Sequence, residues 1–522
     1  MITDQVTGHY QPQPKVTLAP PRAWMAVVVL SVSLLMIGLD NTILNVTLPT
    51  LQRDLSATSA QLQWIVDAYL LVFAGLLLTA GNLGDRWGRR RVLQAGLVVF
   101  GLGSALASLS DTPTQLIVSR GLMGVGAAMI MPSTLSIITN IFTGPRRAKA
   151  IAIWTAVAGL GIALGPVTGG WLLERFWWGS IFLVNVPIAA LTMAAGAVLV
   201  PESRDPAAGP PDPIGVILSI TGLLSLVYGV IEAPSRGWTD PVTLTAFAAA
   251  VLILGAFGWW ELRTPHPMLQ IRLFRNRRFS VASTAIALAF FALFGALFFL
   301  TQYLQLVLGY SALGAGARTV PVAAGLIVGA GISAPLTARA GTKLAVTLGM
   351  VLAAAGLGVL TQVTATSGYP PVLTALILAG TGIGIAMAPA TDSVMGSLPL
   401  AKASVGSAMN DTARLIGGAF GVAVLGTVIS QVYTDHVTGP TASLSAPAAG
   451  EARDSLQAAL QVAAQVGDPA AASLVAAARA AFTDAVNAAA FVGTAVALAA
   501  AAVALTLLPG RPAGWSGEDA QP

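Results

Sequence analysis

The chain contains no cysteine in 522 residues, so disulfides and thiolate metal sites are excluded. Of its three histidines, only His9 and His266 fall on one predicted face, too few for a metal cluster. No G-x-x-x-x-G-K-[ST] stretch occurs, so the loop that cradles nucleotide phosphates is missing. Charge is scarce as well. Asp, Glu, Lys and Arg make up 9% of the chain, against roughly 25% in a soluble domain. That is too little to cover a water-facing surface of this size. The net charge of +5 does not predict nucleic acid as a partner, because the positive residues lie in short stretches between apolar blocks. That pattern orients a membrane protein and does not build a basic groove.

What is abundant is apolar sequence. Hydrophobic residues are 55% of the chain and come in long blocks, not in the spaced stripe of an amphipathic helix. A spanning helix needs about 20 mostly apolar residues. Fourteen segments meet this: 23–48, 61–82, 92–110, 114–142, 149–172, 179–200, 213–231, 242–261, 279–307, 314–336, 344–362, 372–397, 404–431 and 482–508. The first is too long for the core of a cleaved signal peptide. Alternating the intervening loops puts nineteen Lys and Arg on one side and six on the other, with Arg120 and Arg414 inside blocks. This bias predicts both termini on the cytoplasmic side. The expected division is a disordered cytoplasmic tail 1–22, a first six-helix bundle 23–200, two extra helices with a cytoplasmic loop 201–278, a second six-helix bundle 279–508, and a cytoplasmic tail 509–522. The second bundle carries an extracellular insert, 432–481. For that insert two readings stay open: an Ala-rich flexible segment, or helices over Glu451–Val466 and Ala470–Ala481 joined by a turn at Gly467-Asp468-Pro469.

A faint repeat relates the halves. Gly84-Asp85-Arg86-Trp87-Gly88 follows the second block, and Thr337-Ala338-Arg339-Ala340-Gly341 follows the tenth. Arg86 then matches Arg339, and Gly88 matches Gly341. Such repeats are a common plan of secondary transporters, which bind substrate between halves near the midplane.

Four motifs sit on these blocks in order: LDNTILNVTLP (39–49), GNLGDRWGRRR (81–91), RGLMGVGAA (120–128) and GLGIALGPVTGG (159–170). WWGSIFLVNVP (177–187) adds to them. Together they resemble the major facilitator superfamily, in particular its fourteen-helix drug:proton antiporter branch of the EmrB/QacA type. The resemblance implies an all-α polytopic fold of two six-helix bundles plus two extra helices, with a central cavity open alternately to each side. It also implies a helical hairpin in the extracellular insert.

Ionisable residues inside apolar blocks carry the chemical signal, since one at the bilayer centre costs roughly 2.5–3.5 kcal/mol on insertion scales. Asp40, Asp67 and Arg120 are predicted in one layer, about 9–14 Å below the outer surface at ~1.5 Å per residue. A carboxylate there lets a proton and a cationic substrate compete for one site. The alternative is a structural ion pair of Asp67 with Arg120 that leaves Asp40 active. Asp392 and Asp411 lie in the inner halves of the twelfth and thirteenth blocks. Arg414 stands three residues after Asp411 on the same helix face, so a local pair is the competing reading. Asp85, Arg86 and Gly88 are read as a conformational clamp. Gly165, Pro166 and Gly169 are read as a tight, bendable seam. Trp64 and Tyr303 are candidates to line a drug pocket by stacking.

The leading expectation is a proton-coupled exporter of small amphipathic, cationic drugs or antibiotics. It needs no cofactor besides the proton gradient, and its partners are a small-molecule substrate, protons and the bilayer. A monomer in the cytoplasmic membrane fits this reading. Two other readings stay open: a dedicated exporter of one endogenous metabolite, lipid or self-made antibiotic, and a non-transporting scaffold or receptor. The buried acids argue against the scaffold.

Overall fold

The structure is a computed structural model that describes residues 19–142, 144–204, 210–397, 403–442, 444–465 and 470–508. What the sequence predicts for the two tails, for 205–209, for Lys402 and for the Gly467-Asp468-Pro469 turn lies outside these residues. The described residues contain helices and no strand. In chain order the helices are α1 Pro20–Leu55, α2 Ser59–Trp87, α3 Arg89–Ser108, α4 Pro113–Ile141 and α5 Gly144–Arg175. Next come α6 Ser180–Leu199, α7 Pro213–Arg236, α8 Pro241–Arg263, α9 Arg277–Val307 and α10 Ala312–Leu360. The last are α11 Pro370–Gly396, α12 Ala403–Val437, α13 Ala446–Asp454, α14 Leu456–Ala463 and α15 Ala470–Leu507. Among the described residues, twelve helices are long and apolar enough to cross a membrane.

Local chemistry explains several helix boundaries. Thr58 and Gln61 form a reciprocal capping box at the start of α2, and Asp212 accepts from the Gly215 amide at the start of α7. The tenth and eleventh apolar blocks run together in α10, which breaks at Gly341 with φ 81° and ψ 163°. Gly88, between α2 and α3, has φ 114°. The two glycines matched by the repeat therefore both hold a backbone that side chains disfavour.

The insert between α12 and α15 is helical, with different bounds from those expected. It starts at Ala446 and breaks at Ser455, whose side chain caps α14 by accepting from the Ala458 amide. The helix predicted from Ala470 continues unbroken into the last apolar block.

The first block does not end at Pro49. α1 continues to Leu55, although Pro49 cannot donate to the carbonyl four residues back. That carbonyl, of Asn45, accepts from the Thr301 hydroxyl at 2.8 Å. The same device recurs twice. Pro234 leaves the Val230 carbonyl free for the Thr427 hydroxyl at 2.9 Å. Pro389 leaves the Ile385 carbonyl free for the Ser333 hydroxyl at 2.8 Å. Interhelical hydroxyls thus satisfy backbone groups that lipid could not.

Two apolar cores form. One is built mainly from α1–α6, the other from α9–α15. Their packing repeats: α1 on α5 and α2 and α3 on α4 in the first, α9 on α12 and α10 on α11 in the second. The α7–α8 pair packs on itself, and α7 also touches α2 and α12. Leu191, Val251, Leu252 and Ile327 project from the outside of the assembly and are exposed, as a lipid-facing surface requires. One end of the molecule carries Arg86–Arg91, Arg272–Arg278 and Lys343, and is called the arginine-rich face below.

Candidate functional site

Arg120, on α4, is buried to 1% exposure. Its Nη1 donates to Asp40 Oδ2 on α1 at 2.5 Å, and its Nε donates to the Ile65 carbonyl on α2 at 3.1 Å. The guanidinium lies 4.2 Å from the Tyr69 ring centroid and 6.0 Å from that of Phe182, a cation–π arrangement. Asn185 completes the cluster. Its Nδ2 donates to Asp40 Oδ1 and to Ser104 Oγ, both at 3.2 Å. Every polar atom of the Asp40 carboxylate is thereby engaged, which is what a buried charge requires.

Asp67 differs. It is 0% exposed, and neither carboxylate oxygen has a hydrogen-bond partner among the described residues. The alternative reading, a structural pair of Arg120 with Asp67, does not form: Arg120 pairs with Asp40. The cause is helix rotation. Arg120 docks on the α2 face that presents Ile65 and Tyr69. Asp67 is two residues from each, roughly 200° around the helix. α1 extends beyond Pro49 to Leu55, so the spacing of Asp40 from Pro49 does not measure its distance from the end of the helix.

Asp67 shares its face with Gln63, one turn before it. Gln63 packs against Gly426 of α12, so this stripe of α2 meets the second core. Ala74 and Leu78 continue the stripe. Asp67 therefore lies between two cavities. One, toward Ser59, is lined by Leu62, Gln63, Gly426 and Tyr433. The other, toward the arginine-rich face, is lined by Ala74, Gly75, Leu78 and Ile416.

The halves are joined at the face opposite the arginines. Besides Thr301 to Asn45, Gln305 donates to the Val46 carbonyl at 2.8 Å, Ser59 to the Asp454 carbonyl at 2.8 Å, and the Leu313 amide to Glu174 at 3.3 Å. Among the described residues, the hydrogen bonds between 20–200 and 277–507 lie at this face. Outside the spans, Asp454 has its carboxyl pushed above the usual range, first by burial, with an opposing pull from its hydrogen bond to the Ser59 backbone. Gly161, Gly165 and Gly169 seat α5 on α1. A side chain at 169 would stand 2.6 Å from Ile43, and one at 165 would be 2.9 Å from the Leu39 carbonyl. Pro166, on the same turn, contacts Gly316 of α10 across the halves.

The remaining residues named from the sequence are dispersed. Asp411 lies 3.8 Å from Arg414, both partly exposed, so the local pair is present. Asp392 is exposed. Asp85 accepts from Arg89 at 2.8 Å, within its own motif, while Arg86 is exposed and has no ion pair among the described residues. Trp64 stands 6.2 Å from the Tyr228 ring of α7. Tyr303 is fully buried and donates to the Thr364 carbonyl at 2.9 Å. Neither lines the two cavities just described.

Two residues that sequence reasoning missed belong to these sites. Asn185 sat within the 177–187 segment, but nothing local marked it as a partner of Asp40. Glu202 accepts from the Arg90 amide at 3.1 Å and lies within 4 Å of the Arg90 and Arg91 guanidinium groups. A side chain at Gly88 would stand 2.6 Å from the Glu202 carboxylate, a second reason for glycine there. Its signal was available: an acid directly after the sixth block, on the same face as four nearby arginines.

Comparisons with known proteins agree with this architecture. The Major Facilitator Superfamily model matches residues 30–422. The chain is 39% identical over 492 residues to the multidrug efflux pump LfrA of Mycolicibacterium smegmatis, covering 94% of this chain and 97% of that one. It is 34% identical to the tetracenomycin C resistance and export protein of Streptomyces glaucescens, covering 93% and 91%. Among solved structures, a bacterial homolog of the human lysosomal transporter Spinster superposes with a TM-score of 0.65 at 18% identity, covering 94% of this chain and all of that one.

Proposed function

The chain belongs to the major facilitator superfamily and is a multi-pass membrane transporter, not an enzyme; from that premise we propose that it is a proton-coupled antiporter that exports small amphipathic cations, drugs or antibiotics, by alternating access. Two curated relatives, matched over more than nine-tenths of this chain, are an efflux pump and a resistance and export protein, which supports the direction and the class of cargo. The observation that carries the mechanism is Asp67, a buried carboxyl on the seam between the halves with no hydrogen-bond partner among the described residues.

In this reading Asp67 alternately holds a proton and a cationic substrate. Asp40 and Arg120 are the fixed counter-pair that orders α1 against α4. Asp411 and Asp392 attract cations at the mouth. Asp85, Arg86 and Gly88, with Glu202, clamp the arginine-rich face in the opposite conformation. The Gly165, Pro166 and Gly169 surface is the seam that seals the path. Trp64 and Tyr303 border the route only after rearrangement.

The proposal extends to the fourteen-helix branch. Two features support fourteen spans: α10 is broken at Gly341 into two stretches, and α5 is a further helix of 32 residues. The domain division at about 200 and 279 follows the two cores. The arginine-rich face is assigned to the cytoplasm by the positive-inside bias. The halves are joined at the other face, so the conformation described here is inward-facing.

The test is efflux of a cationic dye from cells and its uptake into everted vesicles under an imposed pH gradient. Asp67→Asn is expected to abolish gradient-driven movement, and Asp67→Glu to keep part of it. Wild-type rates with Asp67→Asn would refute the role.

A further inference from the structure

Beside the seam lies a second cavity, of about 270 Å³, with a different chemistry. Its walls come from five helices: α2 gives Gly75 and Leu78, α7 Ser219, α8 Phe257, α9 Ser283 and Thr284, and α12 Met409 and Thr412. The 264–276 loop closes one end with Met268, Leu269 and Phe274. Among the described residues, no charged side chain lines it. Asp67 is not among its residues, since Ala74 is already seven residues, about 10 Å, further along α2.

Two observations mark it as more than a packing gap. Ser283 and Thr412 are 5% and 9% exposed, and neither hydroxyl has a hydrogen-bond partner among the described residues. Serine and threonine in helices ordinarily return such a bond to their own backbone, as Ser219 does to the Val216 carbonyl. Leaving two hydroxyls unpaired beside an apolar space is costly unless a guest supplies the partner. The closing loop is also held from behind. Glu261, 3% exposed, accepts from the Leu269 amide at 2.9 Å, so a buried carboxylate fixes a residue of the cavity wall.

We propose that this cavity is a binding site for a small, uncharged, planar lipophilic molecule with a hydrogen-bond acceptor, held between Phe257, Met268 and Met409 and bonded by Ser283 and Thr412. The volume fits two fused rings, since it is less than twice the roughly 150 Å³ of an apolar cavity that takes one benzene. The absence of charge excludes a permanent cation, which would lose hydration there without a counter-ion. The site is thus distinct in chemistry from the carboxyl site on the seam, and its failure would leave the antiport reading standing.

The lack of native cysteine allows a direct test. Ser283→Cys and, as a lipid-facing control, Leu252→Cys, which is 73% exposed in the native chain, are made in the full-length protein in nanodiscs. Labelling by a membrane-permeant maleimide is followed with and without 1-indanone as the probe. The probe is expected to slow labelling at 283 at least five-fold and to leave 252 unchanged. Adding Thr412→Val should raise the half-protecting concentration several-fold. Equal protection at both positions would mean partition into the bilayer and would overturn the proposal. So would no protection, or a thiol at 283 that never reacts. Labelling at 283 that is slowed by nanodisc lipid relative to detergent, whatever the probe, would assign the space to an acyl chain and would also overturn it.

Discussion

Asp40 and Asp67 are both buried carboxylates in the first half, yet they are built in opposite ways. Asp40 sits inside one core, with both oxygens bonded to Arg120 and Asn185. Asp67 sits on the surface of that core where it meets the other, with neither oxygen bonded among the described residues. Burial alone therefore does not identify a transport acid. In the proposed mechanism a carboxylate locked to an arginine and an amide serves as a structural fixture, and one with no partner among the described residues, at the interface between the halves, takes a proton or a cargo cation. The second half repeats the scaffold of the first, down to Gly88 and Gly341, but the unpartnered acid has no such repeat among its described residues. Its acid, Asp411, lies at the mouth beside Arg414.

The largest expected effect separates the two acids by stability. Arg120→Ala strands the Asp40 carboxylate and should cost about 3–5 kcal/mol, read as a large fall in Tm of the purified protein. Asp67→Asn removes no bond and should leave Tm unchanged or raised. A similar fall for both variants would erase the distinction.

A smaller effect compares the proline-vacated carbonyls. Thr301→Val removes the bond to Asn45 that joins the halves, a loss of about 1 kcal/mol. It should raise thiol labelling of Ser59→Cys from the face opposite the arginines. Ser333→Ala loses a similar bond within one half and should not change that labelling. Equal labelling in the two backgrounds would show that the Thr301 bond does not hold the seam.

Much of this was legible in the sequence, for physical reasons that also mark where legibility stops. Apolar runs must be long to cross a bilayer, so the helices were visible. A positive φ needs glycine, so the matched Gly88 and Gly341 announced the two breaks. Block ends were less legible: Pro49 looked like a terminus because the hydroxyl that rescues its vacated carbonyl comes from Thr301, 256 residues away. Spacing places Arg120 within its helix but says nothing of its rotation, and rotation decides between Asp40 and Asp67. An absent partner leaves no sequence trace at all, so only the assembled helices single out Asp67. Glu202 did leave a trace, an acid directly after the sixth block, but its bond to the start of α3 shows only once the chain has returned after α6.

The central claim is that the carboxyl at 67 exchanges a proton for cargo. It is tested most directly by proton flux into liposomes carrying the purified protein and an internal pH-sensitive dye, with a cationic substrate added on one side. The account predicts substrate-stimulated proton movement in the wild type and none in a folded Asp67→Asn variant. Equal stimulated flux in the two proteins would contradict it.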